Sequence, residues 1–394
     1  MNAKVVSWDR IREGAHEVTH PGGELCAELF ASLRRSDQRL RARQYLSGLL
    51  AAKGRKSIRN IAALAGGAAA EQSLHHFISS STWDWSPIRE ALADHVTRVL
   101  APRAWVVRPL FIPKAGEHSV GVDRQFAPER GQVVNGQLAF GAWAATEGTS
   151  APVQWRLHLP ESWLGDARRR RRAEIPDRAE AETPDECATA TALTALGRWA
   201  VPRRPLVLDA HVTDLGGVVR PFAEARIPLL TRVEESARLI VADRAMPGYR
   251  AGAVPARHIM ESVQGLRRPV EAAGGPVRGT TLAAAVRVRL PRPGSGPELL
   301  LIGEWHERGK APAALWLAAS ATAPVGELVR LTRLAQRVAR DEKQIGEEVG
   351  VRDFEGRSFR GWHRHMTLAS VAHAVSALAD ESDERLLYAR QLSA

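Results

Sequence analysis

Asp209 closes the apolar run RPLVLDAHV and His211 follows it by two residues, while Asp123 lies in GVDRQF with His118 and Ser119 just ahead of it. A carboxylate that orients an imidazole, which in turn activates a hydroxyl, is the working logic of acyl transfer without a metal. The same residues support plainer roles: Asp123 can neutralise Arg108 or Arg124, and His211 can be a loop residue facing water. Residues two apart share a face within a strand, but Asp209 ends its run, so its relation to His211 stays open. Cys187 ranks lower as a nucleophile, because its apolar helical position suits a small buried hydrophobe. His363 and His365 in GWHRH are of metal-ligating type.

Cationic residues form a second set. Lys53, Arg55 and Lys56 cluster in one segment, and Arg168 to Arg172 form a run that could take phosphate, although Glu174 and Asp177 follow it closely and a solvated loop explains it equally well. Lys and Arg outnumber Asp and Glu by 55 to 44, for a net charge of +11. Such a balance favours polyanions, nucleic acid first, though Arg- and Ala-rich chains also drift basic without a functional reason. The two cysteines, Cys26 and Cys187, are too few for a disulfide scaffold or a Cys-based zinc module. The opening residues MNAKVVSWDRIREGAHEV lack the apolar core of a secretory signal. No apolar run approaches the roughly 18 to 20 residues of a membrane span. A cytoplasmic protein with no membrane partner is expected.

These residues need elements to carry them. From about Gly23 to Leu100 apolar residues recur at helical spacing. From Ala104 the pattern turns to short β-rich runs, AWVVRPLFI, GQLAFGAWAAT and VQWRLHLP, which read as a meander. A polar, Arg-rich loop (GDARRRRRAEIPDRAEAETPDE) comes next, then a helix from about Glu186 to Trp199, then the strand that ends in Asp209. RIPLLTRV gives another strand, AAAVRVRL and ELLLIGEW are strand-like, and helices over about Pro324 to Gly346 and Gly361 to Ala379 close the chain. This order predicts an α/β fold with a ribonuclease H-like core. The expected organisation is an N-terminal helical domain (1–103), a first part of the core (104–232), a β-rich insertion (233–315) and C-terminal helices completing the core (316–394).

Five segments, YLSGLLAAKGRKSIRNIA, LHHFISSSTWDW, FIPKAGEHSVGVDRQF, LHLPESW and VGVRDFEGRSFRGWHRHMTL, stand in an order and spacing that resemble insertion-sequence transposases of the DDE superfamily, in the branch described as DDE superfamily endonucleases. The similarity runs from roughly Leu29 to Ala379. It implies three acidic residues holding two divalent cations, which activate the attacking oxygen and stabilise the leaving one. Hard cations require oxygen ligands, mainly carboxylates and water.

The family's first acid lies in an Asp-Asp-Thr run, and here that run aligns with Arg108, Pro109 and Leu110. Asp209 matches the second acid. Counting back from Gly350 puts Ala339 at the third, with Asp341 and Glu342 within a turn of it. On this count two of the three ligands are missing. A unit charge pair at 4 Å is worth about 4 kcal/mol at an effective dielectric near 20, so a dication facing a guanidinium is opposed by roughly 8 kcal/mol. The expectation is no metal, no cofactor and no strand transfer of the family's kind. The resemblance also marks Asp123 and His211 as departures from small residues, implies that they gather with Asp209, His118 and Ser119 at one sheet edge, and places His363 and His365 in a shared segment, as structural or DNA-facing residues.

The leading expectation is therefore a transposase scaffold recruited as a metal-independent enzyme, transferring an acyl or amide group on a small molecule around Asp209 and His211. Two alternatives are a non-catalytic derivative that binds double-stranded DNA and an active transposase using displaced acids such as Asp123 and Glu342. Arg108, Lys114, Arg124, Gln125, Lys53, Arg55 and Lys56 are the candidate substrate- or DNA-binding residues, and a homodimer is compatible with any of these readings.

Overall fold

Strand β1 (Ala104–Pro113) lies deep in a sheet because its first four residues, Ala104 to Val107, are all buried, with no polar side chain until Arg108. The computed structural model describes residues 21–127, 131–272, 279–291, 297–306, 309 and 311–392. The N-terminal stretch read above as lacking a signal lies outside them. The architecture is mixed α/β with a 12-stranded sheet, as the ribonuclease H-like expectation required.

On one side β1 pairs antiparallel with the long β3 (Gln132–Ala145), whose far edge is shared by β2 (Val122–Ala127) and β4 (Ser150–Leu157). On its other side β1 runs parallel to β5 (Leu206–Leu208), and β5 runs parallel to β6 (Leu229–Arg232). Pro109 is tolerated inside this sheet for a geometric reason. Residues 105 and 107 direct their backbone groups toward β5, through Trp105 N to Pro205 O and Asp209 N to Val107 O. By alternation Pro109 directs its missing N–H to the same side, past the point where β5 has ended.

The segment read as an insertion continues this same sheet. β12 (Ala314–Ala318) pairs antiparallel with β6, and β11 (Leu299–Trp305), β10 (Gly279–Arg289), β7 (Arg238–Val241) and β8 (Ala253–Pro255) extend it outward, with β9 (Arg268–Ala272) also on β10.

Helices α1 (Pro21–Leu29), α2 (Ser36–Ala51), α3 (Ile58–Ala63), α4 (Ala68–Ser79) and α5 (Ser86–Leu100) precede the sheet. They share one apolar core with it and with the last helix, α12 (Phe359–Leu392), whose residues 361 to 375 are buried throughout. The Arg-rich stretch expected as a loop follows one short helix, α6 (Glu161–Leu164), and contains a second, α7 (Ala167–Arg172). Asp166 caps the second by accepting from Arg168 N and Arg169 N at 2.8 and 3.0 Å, and arginine is itself a good helix former. Next come α8 (Pro184–Arg198), opened by a Thr183–Glu186 capping box, then α9 (Leu215–Glu224) and α10 (Ala256–Ser262). The amphipathic α11 (Val325–Glu348) packs against β1, β3, β4 and β5. No helix among the described residues is long and apolar enough to cross a membrane.

Candidate functional site

The register of three parallel strands builds the centre of the site. Val107 of β1 is level with Leu208 of β5, and Leu208 with Thr231 of β6. One step further along each strand stand Arg108, Asp209 and Arg232, so charges of alternating sign sit side by side where β5 and β6 end against the middle of β1, an arrangement that neighbouring strands favour. Arg232 Nε donates to Asp209 Oδ1 at 2.8 Å, and Arg108 Nε lies 4.0 Å from Asp209 Oδ2. The Arg232 guanidinium also lies over the Trp316 ring, 5.1 Å from its centroid.

Helix α11 closes the row with Glu342. Its side chain is only 6% exposed, and Arg108 Nη1 lies 3.1 Å from one of its oxygens while Arg352 Nη2 donates to the other at 2.8 Å. The count along the sequence put the third acidic position at Ala339, with Glu342 within a turn of it. Ala339 and Glu342 are three residues apart and thus neighbours on one helix face, and it is Glu342 that reaches the centre. Gly350 (φ +72°) turns the chain after α11 so that Arg352 returns to Glu342. A Cβ there would meet Lys56 Cγ at 2.4 Å, on top of the strained φ.

The result is a chain, Arg232–Asp209–Arg108–Glu342–Arg352, of three guanidinium groups and two carboxylates. These residues do not fit a pair of divalent cations. A guanidinium has five donors and no acceptor, and that of Arg108 stands between the two carboxylates a cation would bridge. Among the described residues no group of three or more His, Cys, Asp or Glu is placed to hold a metal ion.

The other predicted residues lie apart from one another. His211 is two-thirds exposed, with Nδ1 2.5 Å from Glu234 Oε1. This pair repeats the lateral neighbourhood of Asp209 and Arg232 two residues further along. The loop carrying His211 is anchored by the buried Asp185 of α8, whose Oδ2 accepts from Thr213 N, Thr213 Oγ1 and Asp214 N, each at 2.8 Å. Asp123 sits on β2, a strand outside the three runs that read as the meander, and its carboxylate accepts from Arg124 N at 2.9 Å. His118 is exposed and Ser119 half-buried in the turn ahead of β2, where Ser119 O accepts from Val122 N. Among the described residues no hydrogen bond joins Asp123, His118, Ser119 and His211 to one another, so the expected carboxylate–imidazole–hydroxyl relay is not assembled. Gln125 lies on β2 opposite Val134, and Arg124 is exposed. Cys187 is fully buried, and burial pushes its thiol well above the ordinary range, the opposite of what a nucleophile needs.

Two of the basic candidates act as ties. Lys114 Nζ donates to Phe354 O at 2.6 Å, and burial, helped by nearby Arg55, draws its ammonium down to about 8. Lys56 is buried, its Nζ donating to Ala52 O and its backbone N–H to Asp353 Oδ2 at 2.7 Å. Lys53 and Arg55 are exposed, Arg55 lying 3.2 Å from Glu355. Beside them is a cavity of about 540 Å³ lined by Tyr45, Lys56, Arg59, His75, Asp353 and Phe354.

His363 and His365 are framework residues. His363 stacks on Trp85 with ring centroids 4.8 Å apart. His365 bridges Tyr45 Oη, 2.9 Å from Nδ1, and Gly350 O, 3.0 Å from Nε2. Glu304 pairs with Arg333 at 3.1 Å. Sequence reasoning missed Arg232 and Arg352. Arg232 was within reach, since it ends the strand RIPLLTRV as Asp209 ends RPLVLDAHV, whereas Arg352 depends on the turn at Gly350.

No curated protein matches the chain. The model of the DDE superfamily endonuclease family matches residues 28–285, more than half of the 394, and therefore spans β1, β5 and β6 with the row they carry. The chain belongs to the DDE superfamily endonuclease family.

Proposed function

We propose that this protein is a DNA-binding derivative of a transposase that no longer cuts. The observation that carries the reading is Arg108 lying between Asp209 and Glu342. Phosphodiester cleavage in this family is implied to need cations bridging those acids, and here each acid is already neutralised by guanidinium groups, which supply no ligand. What remains is a centre of net positive charge in a chain of net charge +11, suited to phosphate contact without chemistry.

Fluorescence anisotropy with a labelled duplex, at two salt concentrations, tests the binding, and a nicking assay with magnesium and with manganese tests the silence. The expected result is binding that weakens steeply with salt, together with no nicking. Metal-dependent nicking would overturn the reading and restore the transposase with displaced acids, and salt-independent or absent binding would overturn the DNA role.

A second reading, the recruited acyl or amide transferase, is favoured by one observation: an exposed imidazole held by a carboxylate, His211 against Glu234, two residues beyond Asp209. It ranks second because no hydroxyl or thiol among the described residues is bonded to that imidazole. Turnover of an activated ester that is lost in His211→Ala and kept in Cys187→Ala would promote it.

A further inference from the structure

The disagreement between the family's cation chemistry and the residues of this centre is ordered. Along Arg232–Asp209–Arg108–Glu342–Arg352 the signs alternate without a break. Glu342 is 6% exposed and Asp209 13%, and carboxylates so far from water require cationic partners. Arg352 meets one oxygen of Glu342, and it is Arg108 that meets the other. Arg232 likewise meets one oxygen of Asp209 while Arg108 lies toward the other. Arg108 is thus the sole member that faces both acids, which is the position of a bridging cation.

We infer that Arg108 is a built-in replacement for the metal charge, a positioning residue that holds the middle of β1 and the end of β5 to α11 as bound cations would. The centre stays assembled by its own counter-charge, and the chain neither needs nor takes up divalent ions there. Planar and permanently charged, a guanidinium can serve two carboxylates at once, which a lysine ammonium does less well. The inference deepens the non-cutting reading but stands on the same geometry whether or not DNA is bound.

Thermal unfolding of the full chain tests it, in chelator and with manganese chloride at matched ionic strength, for the native sequence, Arg108→Asp and Arg108→Met. The native protein is expected to have the same midpoint in both solutions. Arg108→Asp brings three carboxylates together, so its midpoint is expected to fall by about 5 °C or more in chelator and to recover with manganese. Arg108→Met is expected to fall in chelator as well. A native midpoint that rises with manganese overturns the inference, as does an Arg108→Met protein as stable as the native one. Should Arg108→Asp fail to fold in either solution, the Arg108→Met comparison decides alone. None of these readouts involves DNA, so a failed duplex-binding assay and a failed counter-charge test are told apart.

Discussion

Two regions of this molecule hold arginines away from water, and they satisfy them differently. Where α5 meets α12, Arg89 is 2% exposed and donates to Thr367 Oγ1, Gln154 Oε1, Trp155 O and His363 O at 2.6 to 3.0 Å. Nearby Arg364 donates to Trp83 O and Ile78 O. All of these acceptors are neutral, and burial lowers Arg89 to about 9 and Arg364 to about 10. In the centre, by contrast, Arg108 faces only carboxylates. An arginine held by carbonyls is bound to one backbone geometry, whereas one held by carboxylates is bound to a charge. The first kind ties the fold together through its backbone, and the second ties together the charged side chains of the centre.

The sharpest way to break this contrast is Arg89→Met, which strips the donor from four buried acceptors. A loss of about 3–5 kcal/mol is expected in denaturant unfolding, with Arg89→Lys restoring little because a point charge cannot serve the same fork of acceptors. The corresponding test in the centre, Glu342→Gln, keeps an acceptor but removes the charge, and about 2 kcal/mol is expected.

Acid separates the regions in another way. His365 and His373 are held down to about 4, chiefly by burial, and His363 well below its ordinary value, and all three lie on α12. Their folded forms take protons less readily than their unfolded forms. The stability they confer is therefore complete above about pH 6.5 and is lost as pH falls toward 4, by about 3 kcal/mol for each of His365 and His373. A midpoint that starts to fall near pH 6.5, above the carboxylate range, is the expected signature, and His365→Gln should shrink it. The smallest effect belongs to Arg232→Ala at the rim: Arg232 is 48% exposed, and less than about 1 kcal/mol is expected.

Much of the scaffold was legible in the sequence. β1, β3 and β4 announce themselves as apolar runs, and α8 and α11 as periodic ones. β2 escaped because VDRQ is polar, and its strand state comes from pairing with β3 rather than from its own composition. In the centre, Asp209 was readable as the acid that ends its strand and Arg108 as the first polar side chain of β1. That Glu342 is the residue facing them was not, since a count along a helix places a residue only to within a turn, and packing decides which side chain reaches the centre. The gathering of Asp123, His118, Ser119 and His211 failed as an expectation because closeness to the same sheet edge does not make side chains meet. The ties at Arg89 and Arg364 were invisible, because backbone carbonyls carry no residue-type signal.

The join between β6 and β12 has a further consequence. Because β6 is bonded to β5 on one edge and to β12 on the other, the described strands between β6 and β12 in the chain continue one sheet with the strands that carry Asp209. Native-state amide exchange should therefore find the backbone protons of β3, β1, β5, β6, β12 and β11 opening together as one cooperative unit. A ligand that stiffens the row at Arg108 would then slow exchange in strands far from it.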